Sequence, residues 1–246
     1  MNISVVSGSP DARTADLLVY PAFALPDAAD GAAKEKAGKR TTSTKASKKA
    51  KKAGKPAQEE QGFGAHLVDV DDALDGLLAK TAKDEGFTGA AGQSFLLHTH
   101  GRIASRRVAL VGVGDPAKLN VDGVRKLAAA ATKLGDKVKA KRVVLVLPEM
   151  GELRADTLVE TAAEGALLAA YRFSKYLTKD KEKSASTVQD LEIAAALRTR
   201  IAAAAIDRAR AIADGVCLAR DLVNEPAGTL TPVELARRAV AAGKEH

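Results

Sequence analysis

Between residues 197 and 232 the chain encodes a long helix, a stop and the start of a second helix. Over 197–223 the side chains of Ile201, Ala205, Ile206, Ala209, Ile212, Ala213, Val216 and Leu222 recur every three or four residues, the spacing of one buried helical stripe. Pro226 ends that helix, because it has no amide to donate and disfavours helical geometry in the residue before it. Thr231, Pro232 and Glu234 then form a capping box with proline in the first helical position. This order of events reads as a junction: 196–226 is an interdomain helix and 227–246 the opening of a further domain.

The material upstream suits an α/β core. Apolar residues make up 46% of the 246, enough for a sizeable interior, yet there are only five Phe, three Tyr and no Trp. The interior must be built from Val, Leu, Ile and Ala, as in buried strands layered with Ala-rich helices. The single cysteine, Cys217, excludes an internal disulfide framework and fits a reducing cytoplasm. Flanked by Val216 and Leu218 on the long helix, it reads as a small buried hydrophobe rather than a reactive thiol. No basic-then-apolar leader and no run of membrane-spanning length is present, so the expectation is a soluble cytoplasmic protein without membrane contact.

The net charge of +7 is localised. Residues 31–60 hold ten Lys or Arg and three Glu, which accounts for the whole excess, and the other 216 residues carry 28 basic and 28 acidic side chains. That stretch contains no Leu, Ile, Val or aromatic residue, cannot offset its ordering entropy by burial, and is expected to be a disordered insertion.

Strands are expected over 3–6, 17–20 (closed by Pro21 and Pro26), 94–98, 107–111, 141–147 and 191–195. Helices are expected over 69–80, 121–134 (capped by Asn120, with Val124, Leu127, Ala128 and Ala131 inward) and from a capping box at Thr157 and Glu160 through Tyr171 and Phe173. This alternation describes a three-layer α/β domain over 1–195 with a mixed sheet, followed by a long connecting helix.

Several groups carry residue types found at sites. Asp69, Asp71, Asp72 and Asp75 lack the glycine and glutamate of a calcium loop, since Leu74 and Lys80 stand in those places, and they read as acidic residues at a helix start. His98 and His100 share one strand face and could hold a metal, but no third ligand is apparent. Gly112-Val113-Gly114 after a strand reads as a tight turn needing glycine's positive φ, with phosphate binding through backbone amides as the alternative. Tyr171, Phe173 and Tyr176 read as core or domain packing rather than a stacking platform. No Gly-x-Ser-x-Gly, His-Glu-x-x-His or phosphate-loop motif occurs.

The run Ala219-Arg220-Asp221-Leu222-Val223-Asn224-Glu225-Pro226-Ala227-Gly228-Thr229-Leu230-Thr231-Pro232 resembles the segment leading into the catalytic domain of leucyl aminopeptidases, the cytosol aminopeptidase family. The run from Glu164 to Tyr176, and Val111 to Gly114 followed by Arg125-Lys126, are similar to the end and the middle of that family's N-terminal domain. The resemblance implies a macro-domain-like fold and a non-catalytic N-terminal part of a metallo-exopeptidase that releases N-terminal residues, leucine by preference, from peptides. It also implies two divalent ions, zinc or manganese, in the complete enzyme, and a hexamer whose catalytic domain is this chain's partner. The family signature Asn-Thr-Asp-Ala-Glu-Gly-Arg is not among these 246 residues. No catalytic, cofactor-binding or metal-binding residue is therefore carried over, and the chain alone is expected to be inactive. A macro-like phosphate or nucleotide module at Gly112 to Gly114, or a non-specific nucleic-acid binder through 31–60, is the alternative.

Deletion of residues 31–60 is expected to leave the thermal midpoint unchanged and to abolish any weak, salt-sensitive DNA binding. Calorimetry and a salt titration of DNA binding on the deleted protein check both outcomes.

Overall fold

The computed structural model describes residues 1–24, 65–148, 153–177 and 186–245, and the 31–60 stretch lies outside them. Its elements run β1 (Asn2–Val6), β2 (Leu17–Phe23), α1 (Ala65–Ala73), α2 (Leu77–Asp84), β3 (Ser94–His98), β4 (Arg107–Gly114), α3 (Val121–Lys137), β5 (Arg142–Val146), α4 (Ala155–Ala170), β6 (Asp190–Ala194), α5 (Thr199–Asn224) and α6 (Pro232–Glu245). They group into two compact units, Ser9–Gly123 and Met1–Gly8 with Val124–His246.

In the unit Ser9–Gly123, β4 pairs in parallel with β2 and antiparallel with β3, so the strands are of mixed direction. β2 is buried from Leu17 to Ala22 and continues through Pro21 to Phe23, beyond the end expected from the sequence. A proline removes only one ladder donor, and Pro21 pairs in register with Val111; the register shifts further on, between Ala22 and Phe23. The hydroxyl of Tyr20 is buried without a hydrogen-bond partner among the described residues, and burial, with Asp11 and Asp69 nearby, pushes its pKa well up.

The single helix expected over 69–80 is two helices. Asp75 and Gly76 take left-handed conformations (φ 57° and 73°) between them. Arg102 stabilises the break by donating to the Leu74 carbonyl at 3.2 Å and to Asp75 at 3.0 Å. The Asp71 carboxylate accepts from the Ala79 amide at 3.0 Å, so an acid from one helix caps the start of the next.

In the other unit β1, β6 and β5 are parallel, with β6 between the other two. Val143 to Val146 on β5, and Leu191 and Ile193 on β6, are buried, the continuous apolar run of a strand covered on both faces. Asn120 caps α3 through the Gly123 amide at 3.1 Å, and Val124, Leu127, Ala128 and Ala131 are buried, as the sequence predicts.

α4 departs from expectation at both ends. It begins at Ala155, two residues before the proposed Thr157 cap, with an Arg154–Asp156 ion pair of 3.0 Å at its start. It ends at Ala170, so Tyr171 and Phe173 are not helical. Arg172 folds back to donate to the Ala169 and Tyr171 carbonyls at 2.7 and 2.8 Å, which satisfies the helix end and turns the chain outward.

On α5 the buried seam is narrower than the expected stripe. Ala202, Ala205, Ile206, Ala209 and Ala213 are buried, while Ile201 and Ile212 are exposed and Val216 and Leu222 half-buried. The seam uses small residues, and the two isoleucines flank it rather than enter it. No described helix is long and apolar enough to cross a membrane.

Gly165 of α4 lies directly against α3: a Cβ there would lie 2.3 Å from the Arg125 carbonyl oxygen. The backbone cannot retreat as a flexible side chain would. Gly165→Ala is therefore expected to destabilise by about 1–3 kcal/mol, measurable by urea unfolding.

Candidate functional site

The turn that follows α5 gathers ionisable side chains from three segments. Glu225, immediately before Pro226, is extended (φ −71°, ψ 136°), the geometry a following proline imposes. The Pro226 carbonyl accepts from the Thr229 and Leu230 amides at 2.8 and 2.9 Å, which reverses the chain. Thr231 Oγ1 then accepts from the Glu234 amide at 3.3 Å and starts α6, the expected half of the capping box. The Glu234 carboxylate turns to Arg237 (2.8 Å from both Nε and Nη2) and to Arg238 Nε (2.9 Å).

The reversal brings α6 back over Glu225. Arg238 Nη2 donates to Glu225 Oε1 at 3.0 Å, Lys175 Nζ pairs with the same oxygen, and the Tyr176 hydroxyl donates to Oε2. The Glu225 side chain is only 2% exposed. Bonds from Lys175 and Tyr176, with Arg238 behind them, overcome the cost of burial and hold its pKa down to about 2. Glu234 is likewise held at about 2 by Arg237 and Arg238. One turn earlier, Asp221 Oδ1 accepts from the Tyr171 hydroxyl at 2.6 Å, and Arg220 lies over the Tyr171 ring while donating to the Leu168 carbonyl at 3.1 Å.

An open cleft of about 460 Å³ is lined by Arg172, Phe173, Ser174 and Lys175 after α4, Asp221 and Glu225 at the end of α5, and Arg237 and Arg238 on α6. Its cations are already matched. Arg172 faces Asp136 at 3.5 Å, Lys175 and Arg238 face Glu225, and Arg237 faces Glu234. A carboxylate saturated by cationic donors is a poor general base and a poor metal ligand, and here the arrangement fastens three segments together.

The groups weighed from sequence lie elsewhere. Gly112 and Gly114 belong to β4: the Gly112 amide donates to the Gln93 carbonyl at 2.9 Å and the Gly114 amide to the Gly89 carbonyl at 3.0 Å. Both donors that a phosphate would need are engaged. The structure corrects the expected turn at this point, since only Gly114 has positive φ (78°) and Gly112 is required because Ala90 O would meet a Cβ at 2.1 Å. His98 and His100 are both exposed, with rings 6.2 Å apart, and no group of three or more His, Cys, Asp or Glu gathers for a metal among the described residues. Cys217 is half-buried, and burial pushes its thiol up, away from thiolate chemistry. Sequence reasoning missed Glu225, Lys175 and Arg238 as a set. The available signal was an acid at a helix-to-helix junction with no cation four residues away on its own helix.

Residues 51–180, more than half of the chain, match the model of the cytosol aminopeptidase family, N-terminal domain. The chain belongs to the cytosol aminopeptidase family. A relative named probable cytosol aminopeptidase, from Syntrophotalea carbinolica, is 36% identical over 176 residues, covering 70% of this chain and 35% of that protein. The chain spans little more than a third of the curated relatives it matches. A mutant of tomato leucine aminopeptidase superposes with a TM-score of 0.75 at 23% identity over 100% of this chain and 42% of that one, which establishes the α/β fold. The bottromycin maturation enzyme BotP in complex with Mn gives a TM-score of 0.52 at 28% identity, over 64% of this chain and 31% of that one. The match is thus to the N-terminal part of the family.

The depressed pKa of Glu225 has a definite sign. A carboxyl that titrates near 4.3 when unfolded and at about 2 when folded adds stability above the unfolded value and loses it as pH falls through the folded one. Glu225→Gln is therefore expected to lower the thermal midpoint most at pH 7, with the gap to wild type closing between pH 4.5 and 2. Parallel melting curves across that range check it.

Proposed function

We propose that this chain positions the peptidase domain of a metal-dependent aminopeptidase that releases N-terminal residues, leucine by preference, from peptides. The observation that carries the reading is the match to the family's N-terminal domain together with a structured exit through α5, the Pro226 turn and α6. On this reading 1–195 is a domain, 196–226 the helix that leads out of it, and 227–246 the first part of the peptidase domain. The exposed Leu218, Val223, Val233 and Val240 side chains of α5 and α6 are the surface we assign to that domain.

The catalytic ions of the complete enzyme, two zinc or manganese on the family's pattern, would polarise the scissile carbonyl and activate water. The residues described here do not fit that group. Glu225 is surrounded by cationic donors and Asp221 is bonded to Tyr171, so the cleft offers no converging set of free oxygen ligands. We assign no step to this chain beyond holding and orienting its partner. Assembly as a hexamer and residence in the cytoplasm extend the same reading, supported by the exposed apolar side chains and by the names of the relatives. Any nucleic-acid affinity we assign to 31–60, because the rest of the sequence is charge-balanced.

The chain alone, with manganese or zinc in excess, is expected not to hydrolyse leucyl p-nitroanilide. Fused to the peptidase portion of the Syntrophotalea carbinolica relative, it should give chelator-sensitive turnover. Chelator-sensitive turnover by the chain alone, or a folded fusion without activity, overturns the assignment.

A further inference from the structure

α6 is fastened to its unit in an unusual way. None of its described side chains is buried: Val233 is 79% exposed and Val240 59%. A helix of 14 residues is marginal by itself in water, and most helices in proteins owe their order to a buried apolar face. α6 has no such face among the described residues. What reaches back to the unit is Arg238, which is only 20% exposed and bonds both Glu234 on its own helix and Glu225 at the end of α5. On the far side of that carboxylate stand Lys175 and Tyr176, from the segment after α4.

We propose that Glu225 is an ionic latch, a buried carboxylate that clamps α6 to the segment after α4 and whose release frees α6 while the rest of the unit stays folded. Three features support it. The carboxylate takes donors from both sides, so neither segment keeps its partner if Glu225 is lost. The neighbouring charges are engaged: Arg172 with Asp136, Arg237 with Glu234, and Asp221 with Tyr171, which leaves none of these to replace Arg238 or Glu225. The buried seam of α5 ends at Ala213, so the core is made well before the latch is reached. The inference is independent of peptidase activity.

The test is amide hydrogen exchange at pH 7 on the full 246-residue chain, comparing peptides from α6 with peptides from α4 and β5. In Glu225→Gln the α6 amides are expected to exchange at least tenfold faster and far above the rates of α4 and β5, which stay protected. Arg238→Gln should do the same, and the double variant should exchange no faster than the faster single one, since both remove one interaction. Arg238 is at the surface edge of the cluster, so its variant decides the matter if Glu225→Gln fails to fold. Unchanged α6 exchange in Arg238→Gln, loss of protection in α4 and β5 along with α6, or additive effects in the double variant would overturn the latch.

Discussion

The approach of α4 and α5 through small side chains governs the unit that carries the cleft. Ala162, Ala163, Ala166 and Ala169 are buried on one helix and Ala202, Ala205, Ala209 and Ala213 on the other. Each methyl adds only about 0.8 kcal/mol on burial, so such a seam derives less from area than from closeness, which brings backbones and polar side chains within reach. The ties along it follow in order: Arg208 to Glu160 at 2.7 Å, Arg220 to the Leu168 carbonyl at 3.1 Å, and Tyr171 to Asp221 at 2.6 Å. α5 thus changes its means of attachment midway: its buried apolar seam ends at Ala213, and polar ties from Arg220 and Asp221 hold the part beyond it.

The polar half ends in Glu225, and its value is directional. Exposed ion pairs contribute little, and a buried one must first recover the hydration its charges lose. Glu225 meets that demand with three donors placed on both of its oxygens, an arrangement that tolerates few alternative geometries. An apolar contact in its place would be indifferent to small rotations of α6. The carboxylate fixes one.

Much of this was legible in the sequence, for identifiable reasons. Period-two and continuous apolar runs located the six strands, and the Asn120 and Thr231 caps marked their helices, because each signal is local. The differences have local and distant sources. Asp75 and Gly76 break a helix whose periodicity continues past them: the Gly76 amide closes on the Asp71 carbonyl at 2.8 Å, and Arg102, 27 residues away from Asp75, bonds the break. Tyr171, just past the end of α4, gives its hydroxyl to Asp221, 50 residues on. The donor cluster about Glu225 joins positions 175, 176, 225 and 238, a set that no window or motif brings together. Family resemblance supplied an expected role for the segment, but not the side chains that shape it.

The scarcity of aromatic residues has a practical side. With no tryptophan and three tyrosines, the near-ultraviolet properties of the protein rest mainly on Tyr20, Tyr171 and Tyr176. Tyr20 is sealed in the core, while the other two hold Asp221 and Glu225 at the end of α5. Two of the three intrinsic chromophores are thus built into the junction, and absorbance or emission from the unmodified protein reports on the seating of that junction without a dye or an introduced label.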